Sequence, residues 1–269
     1  MESSGGSLHD DMPRIIMQTW KTEKLPPQWQ ASQDAIKQLM PHWRYVLLTD
    51  DDNLAFVKTH FPDFVKTFTS FEYDIQRADA IRYMWLYVNG GVYLDLDIQP
   101  LKAFDTLFGA NSKTRRPDLY VVKSSIMNNI YTNAFMAAKP GLTVMLKCLE
   151  FMQAGNSWWH CGKHLKVINL TGPNMFTRAI QFVKAEEDSL KRFTVSEIPT
   201  KLIIPCSICD VDKCKVTDAY CKSLGGSSWS GADTKFLALL HCNRQAIVVL
   251  FIVVFIIIVV IKRRSRKHP

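Results

Sequence analysis

Residues 75–100 read IQRADAIRYMWLYVNGGVYLDLDIQP, and the pattern changes once along the way. Up to Val88 the apolar residues recur at helical spacing, with Ala78, Ile81, Trp85 and Val88 on a stripe that faces a core. Asn89-Gly90-Gly91 then supplies a left-handed helix stop and a tight turn. From Val92 the period becomes two: Val92, Leu94, Leu96 and Ile98 share one face of a strand, and Tyr93, Asp95 and Asp97 the other. The expectation is a helix that feeds through a Gly-Gly turn into a strand, with both carboxylates leaving the same side of that strand.

Upstream, residues 1–12 are polar and glycine-rich and read as a flexible lead; a single domain is expected over 13–240. Residues 14–20 (RIIMQTW) predict a short buried strand, Pro26-Pro27 introduces a helix over 29–40, and residues 45–49 predict a second strand. Asp50-Asp51-Asp52 is placed to cap a helix over 53–59. Strands and helices alternating at this spacing predict an α/β layer fold with parallel strands.

Aspartates two positions apart on a strand end are about 6.5 Å apart between Cα atoms, close enough to share one hard divalent cation. Oxygen ligands select Mg²⁺ or Mn²⁺ over zinc, and such an ion stabilises the diphosphate released when a sugar–phosphate bond breaks. Asp79 and Arg82, three apart on the preceding helix, share a face, with Arg77 nearby. Elsewhere such a pair would be a solvated ion pair. Here the Gly-Gly turn brings it towards the aspartates, where an aspartate can hold sugar hydroxyls and an arginine can face phosphate.

Five segments jointly resemble glycosyltransferase family 32, and among its members the fungal inositol phosphoceramide mannosyltransferases. They are PRIIMQTWKT from Pro13, QRADAIRYMWLYVNGGVYLDLDI from Gln76, NAFMAAKPG from Asn133, TGP from Thr171 and GSSW from Gly226. The resemblance implies a GT-A type, Rossmann-like nucleotide-sugar-binding domain, an ion held by Asp95 and Asp97, and transfer with retention of anomeric configuration. It implies Mn²⁺ or Mg²⁺ as cofactor, GDP-mannose as donor and a lipid-linked inositol phosphate as acceptor. By the same resemblance Trp20 stacks on the nucleotide base with Gln18 beside it, and Asp79, Arg82 and Asn133 position the donor sugar. Ser227 and Trp229 belong to a loop that closes over the diphosphate. Plainer roles compete: Trp20 and Trp229 as core aromatics, Asn133 as a helix cap, Ser227 as a turn residue. The sequence departs from the family where histidines are usual, at Met17, Ser223 and Ser230. Those departures leave open a catalytically weakened relative that binds a nucleotide sugar, and a family member acting on glycans is a further alternative.

Residues 246–261, AIVVLFIVVFIIIVVI, are sixteen apolar residues between Arg244 and the tail KRRSRKHP. As a helix they reach about 24 Å, short of a bilayer core of about 30 Å, a gap that snorkelling of Arg244 and Lys262 can close. A transmembrane helix over 246–261 with a cytosolic basic tail over 262–269 is expected, which puts the preceding domain in a lumen, the Golgi by the family resemblance. The opening residues show no apolar signal region, so the expectation is either an upstream targeting segment that precedes this sequence, with a lumenal domain, or tail anchoring with the domain in the cytosol, and the lumenal arrangement is favoured. A regulatory or partner membrane subunit would be compatible with such an anchor.

The formal net charge is +8, of which the tail supplies five, and the remaining three spread over the domain without a basic stripe. No nucleic-acid role is expected. Seven cysteines include Cys206, Cys209, Cys214 and Cys221, whose spacing fits no regular zinc module and predicts disulfides in a lumenal domain. Cys242 is a candidate for acylation, and the sequon at Asn169 is expected to be buried. A haloacid-dehalogenase-type phosphatase shares the Asp-x-Asp strand end, but Gln99 stands where that chemistry wants Thr or Val.

Overall fold

The computed structural model describes residues 12–108, 117–127, 129–155, 162–187, 193–206, 209, 216–226, 231–246, 248, 249, 252, 255 and 258. The chain divides into two compact units, Met1–Trp229 and Ser230–Pro269. The first unit opens with β1 (Ile15–Thr19), α1 (Pro27–Leu39), β2 (Arg44–Leu48), α2 (Asp50–His60), α3 (Val65–Ser70) and α4 (Asp74–Asn89). It continues through β3 (Gly91–Leu94), β4 (Ile98–Pro100), β5 (Leu119–Lys123), β6 (Tyr131–Ala138), α5 (Thr143–Ala154), α6 (Lys163–Leu170) and α7 (Pro173–Glu187). β7 (Val195–Ile198), α8 (Thr200–Ile203) and β8 (Cys221–Ser223) complete it.

Six strands form one sheet in the order β2-β1-β3-β6-β5-β7, and β4 pairs with β8 in a small second sheet. β1 runs parallel to both β2 and β3, and β5 parallel to β7, but β6 is antiparallel to both β3 and β5. The sheet is therefore mixed rather than parallel throughout. Side chains alternate between its faces: Tyr93, Val121 and Met136 enter a core shared with α4, α5 and α7, while Val92, Leu94, Val122 and Phe135 enter one with Ile36, Phe104 and Ile203. Because both faces are covered, β3 is buried at every position, which is why its sequence is apolar without interruption up to Leu94.

The α4 stripe is broader than the spacing predicts. The helix is buried from Asp79 to Leu86, whereas Ala78 and Val88 are only half-buried. It packs against the sheet and against α5, so an inner helix replaces the expected amphipathic one. Its stop is as expected: Gly90 is the C-cap at φ 64°, and Gly91 follows at φ 90°. A Cβ on Gly91 would come within 2.5 Å of the Ile15 carbonyl oxygen, so glycine lets β3 lie against β1. At α2 the cap is Thr49, whose hydroxyl accepts from the Asp52 amide while the Asp52 carboxylate accepts from the Thr49 amide. The three aspartates lie in the first turn of the helix, where its dipole favours acids, and do not precede it.

In the second unit α9 (Ala232–Cys242) has no buried residue. Among the described residues no helix is long and apolar enough to cross a membrane. The expected span over 246–261 lies mostly outside the described residues; Val248, Val249, Ile252, Phe255 and Ile258 are helical and exposed. Cys206, Cys209 and Cys242 are disulfide-bonded, so Cys242 is not a free thiol for acylation. Cys221 is a free, buried thiol, which removes it from the expected disulfide cluster. Asn169 is half-buried on α6, its carbonyl accepting from the Asn174 amide at 2.7 Å.

Candidate active site

The sheet positions a cleft of about 380 Å³. β1, β2 and β3 are parallel, so the residues that follow them emerge at one edge: Trp20 and Lys21 after β1, Asp50 after β2, and Asp95, Leu96 and Asp97 after β3. The chain moves from β1 outward to β2 and then back across to β3, and a crevice opens where that winding reverses.

Asp95 and Asp97 do not share a strand. The Asp95 amide donates to the Ala134 carbonyl at 2.9 Å, and the Ile98 amide then donates back to the Asp95 carbonyl at 3.0 Å, closing a turn. Beyond that turn β4 leaves to pair with β8, and the Leu224 amide donates to the Asp97 carbonyl at 2.7 Å. The two-residue period thus ends at Leu94, and both carboxylates reach the same cleft from a turn held at each side by a different sheet.

Beneath Asp95 lies a buried polar network. Arg82 Nη1 lies 3.1 Å from Asp95 Oδ1 and donates to the Asn133 carbonyl at 2.8 Å, while Nη2 lies 3.1 Å from Asp79 Oδ1. The guanidinium also stacks 4.3 Å from the centre of the Tyr93 ring, whose hydroxyl donates to Asp95 Oδ1 at 2.5 Å. Asp79 accepts further from Asn133 Nδ2 and from the Thr171 hydroxyl, each at 2.8 Å. Burial acts against the Arg82 charge, but Asp95, Tyr93 and Asp79 together hold its pKa above the ordinary value. Burial pushes Asp79 up, opposed by Arg82, Thr171 and Asn133; three donors converge on it, which is the environment of an ionised carboxylate.

Asp97 differs from both. Burial and the neighbouring Asp95 push its pKa up to about 7, with Arg82 opposing weakly. Two acids in one cleft with a single buried arginine, itself shared with Asp79, are a donor set that fits a hard cation. Among the described residues, the partners of the Asp95 carboxylate fall on Oδ1 and leave Oδ2 for such an ion. No cluster of three or more acidic, cysteine or histidine ligands exists among the described residues. A Mg²⁺ or Mn²⁺ ion here would take its remaining ligands from water and substrate phosphate, the usual arrangement for these ions.

The other expected site residues are placed as follows. Trp20 lines the cleft, half-buried, edge-to-face with Trp29 at 4.7 Å between ring centres. Gln18 does not: it is fully buried, donating to Ser32 Oγ at 3.1 Å and to the Asp95 carbonyl at 3.4 Å, and accepting from the Tyr45 hydroxyl. It supports the acidic turn from below, because it still lies within β1, where α1 covers it through Ser32, whereas Trp20 follows the end of the strand. Arg77 binds the Phe71 carbonyl and pairs with Asp74, securing the start of α4, and is not part of the cleft lining. Asp79 and Asn133 are likewise buried behind Arg82 rather than open to the cleft. Ser227, Trp229 and Ser230 lie outside the described residues; the preceding Gly226 sits so close that an added Cβ would meet both Asp97 Cβ and Trp29 Nε1 at 3.1 Å. Met17 is fully buried in the core and Ser223 lies on β8, its hydroxyl accepting from the Gly225 amide. Sequence reasoning missed Tyr93, Trp29, Asp50 and Lys163 as cleft residues. Only Tyr93 left a signal, on the acidic face of the two-residue period.

Fold and site are those of an α/β domain that presents an Asp-x-Asp turn at the carboxyl edge of its sheet. Residues 26–114 match the model of the glycosyltransferase sugar-binding region containing the DXD motif. The chain is 40% identical over 119 residues to inositol phosphoceramide mannosyltransferase 3 of Schizosaccharomyces pombe, covering 44% of this chain and 32% of that protein. It is 28% identical over 240 residues to the mannosyl phosphorylinositol ceramide synthase CSH1 of Saccharomyces cerevisiae, covering 88% and 58%. The chain thus spans less than two thirds of the length of either relative. In fold it is similar to the ligand-free glycosyltransferase domain of the YGT toxin, with a TM-score of 0.50 at 8% identity over 70% of this chain and 80% of that one. The resemblance read from the five segments is borne out by the family model and by these relatives.

The raised Asp97 pKa has a consequence for stability. The cation-free folded protein keeps a proton on Asp97 that the unfolded chain releases near pH 4, so stability falls as pH rises from about 4 to about 7. In thermal melts, that decline should be shallower in Asp97→Asn than in the parent, and Mn²⁺ should restore the parent at pH 7.5. Identical pH profiles for the two proteins would contradict this account of Asp97.

Proposed function

We propose that the protein is a retaining, metal-dependent glycosyltransferase that moves mannose from GDP-mannose to inositol phosphoceramide. The observation that carries this reading is the turn of Asp95 and Asp97 at the carboxyl ends of β1, β2 and β3, tied to Arg82 inside the matched sugar-binding region. The names of the fungal relatives support the mannosyl donor and the ceramide-linked acceptor.

In this mechanism Asp95 and Asp97 would hold Mn²⁺ or Mg²⁺, an ion that would neutralise charge on a departing diphosphate. Trp20 offers its ring to the base from the end of β1. Arg82 fixes the Asp95 carboxylate and carries positive charge to the cleft floor next to the donor phosphates. Asp79 and Asn133 are positioning residues, since they lock the Arg82 fork in one geometry. Ser227 and Trp229, which lie outside the described residues, are assigned by the family resemblance to a loop that would close over the diphosphate and exclude water.

Incubating the purified protein with Mn²⁺, a panel of nucleotide sugars and vesicles containing inositol phosphoceramide, then weighing the lipid products by mass spectrometry, tests this directly. A hexose added from GDP-mannose is expected, and Asp97→Asn should lower turnover at least about 100-fold with the fold intact. Full activity of that variant at limiting Mn²⁺ rules out the metal assignment. Serine stands at positions 223 and 230 where the family usually carries histidine, which supports a second reading as a weakened transferase that binds the donor; Met17, buried in the core and outside the cleft lining, has no part in it. Donor binding without transfer or hydrolysis in the parent would select it.

The apolar run and basic tail are proposed to anchor the protein with the catalytic domain in the Golgi lumen, as a single-pass membrane protein. The disulfides at Cys206, Cys209 and Cys242 support an oxidising compartment. Protease protection of intact microsomes, with epitopes at Glu2 and after Pro269, should spare the first and remove the second. The reverse pattern contradicts the lumenal assignment.

A further inference from the structure

The wall of the cleft formed by the start of α4 and the start of α6 contains Glu72, Tyr73, Asp74, Ile75, Ala78 and Lys163. Its charges are nearly all spoken for. Asp74 pairs with Arg77, and Glu72 pairs with Lys166. On the floor, Arg82 is committed to Asp79 and Asp95. At the β1 end, Lys21 also forms no ion pair among the described residues, but it follows Trp20, on the side proposed for the donor base. Lys163 stands instead on the wall made by α6. Its ammonium sits 5.1 Å from the centre of the Tyr73 ring, and among the described residues it forms no ion pair.

A ring face holds an ammonium loosely and leaves its donors pointing outward, so Lys163 remains available to an anion entering the cleft. The need for such a cation follows from the floor. Asp95 and Asp97 reserve that region for a metal and the donor diphosphate, and they repel any second anion that approaches without a cation of its own. A lipid-linked inositol phosphate is such an anion, because its phosphodiester is negative at neutral pH and sits one bond from the inositol ring that must reach the reaction centre.

We infer that Lys163, resting on Tyr73, is the binding group for the acceptor's phosphodiester and holds the attached polyol over the cleft. This rests on the proposed reading of the acceptor as an inositol phosphate lipid. The neighbouring carboxylates of Glu72 and Asp74 suit the polyol, since an ionised carboxylate accepts hydrogen bonds from vicinal hydroxyls. The bound acceptor then meets the donor sugar with its phosphate kept away from the metal-binding acids. Free inositol, lacking the phosphate, would lose this contact, which makes Lys163 a determinant of acceptor choice rather than of donor choice.

The test uses the full chain and its Lys163→Gln variant, with glycerophosphoinositol as a water-soluble phosphodiester probe and GDP with Mn²⁺ as the donor-side probe. The parent should bind glycerophosphoinositol at low salt at least tenfold more tightly than myo-inositol. Lys163→Gln should lose that tenfold preference, while GDP affinity stays within about twofold and the melting temperature is unchanged. Loss of GDP affinity with the preference kept would assign Lys163 to the donor and overturn the inference. No preference in the parent, or an unchanged preference in the variant, would overturn it as well. Vesicles containing inositol phosphoceramide separate the phosphate from the membrane: the variant should still bind them if its anchor is intact, yet show a raised acceptor KM. Should the parent transfer no mannose at all, the proposed activity fails, and the soluble titration still decides the role of Lys163.

Discussion

A guanidinium buried under the cleft floor must have its charge answered, and the rest of the site is arranged around that demand. Arg82 is 2% exposed, where an unpaired charge would cost several kcal/mol. It is met by Asp79 from one turn earlier on α4, by Asp95 from the end of β3, by the Asn133 carbonyl from β6 and by the Tyr93 ring. The helix α4, the end of β3 that follows it and the distant β6 are thereby fixed to one planar fork, a geometry that arginine can satisfy and lysine cannot. Asp79 in turn reaches Thr171 at the end of α6, which ties the TGP segment to the same network.

The sheet explains why this fork opens onto a ligand site. With β1, β2 and β3 parallel, three chain ends converge at one edge, and the reversal of winding between β2 and β3 leaves the crevice there unfilled. Gly91 permits the close approach of β3 to β1 that brings Asp95 beside Trp20. At Asp95 the chain makes its last bond to β6 and turns, so the acids occupy a turn stabilised at its far end by β8. That change of sheet also draws Gly226 against Asp97, immediately before the expected closing loop.

How much of this could be read beforehand depended on whether the signal was local. The helix, the Gly-Gly stop and the apolar strand in residues 75–100 were legible, because capping, positive φ and strand alternation leave marks within a few residues. The Asp79–Arg82 ion pair was legible for the same reason, as neighbours on one helix face. Long-range pairing left no such mark. Nothing near Ile98 announces that it will pair with Ser223, and so the acidic segment read as one strand. Gln18 looked like a cleft residue beside Trp20, but it lies inside β1 under α1 and bonds Ser32 and the Asp95 carbonyl, while Trp20 follows the strand's end. Lys163 belongs to the cleft solely because α6 starts beside Tyr73, a proximity set by tertiary packing.

The central claim is that the Arg82 fork holds the Asp95 side of the turn ready for a metal-bound donor. Substituting Arg82→Lys keeps the charge and removes the planar fork, and binding of Mn²⁺ with GDP to parent and variant, followed by electron paramagnetic resonance, reads the consequence. The account predicts at least about a tenfold loss of affinity together with a lower melting temperature. Unchanged Mn²⁺ and GDP affinity in a variant of parental stability would contradict it.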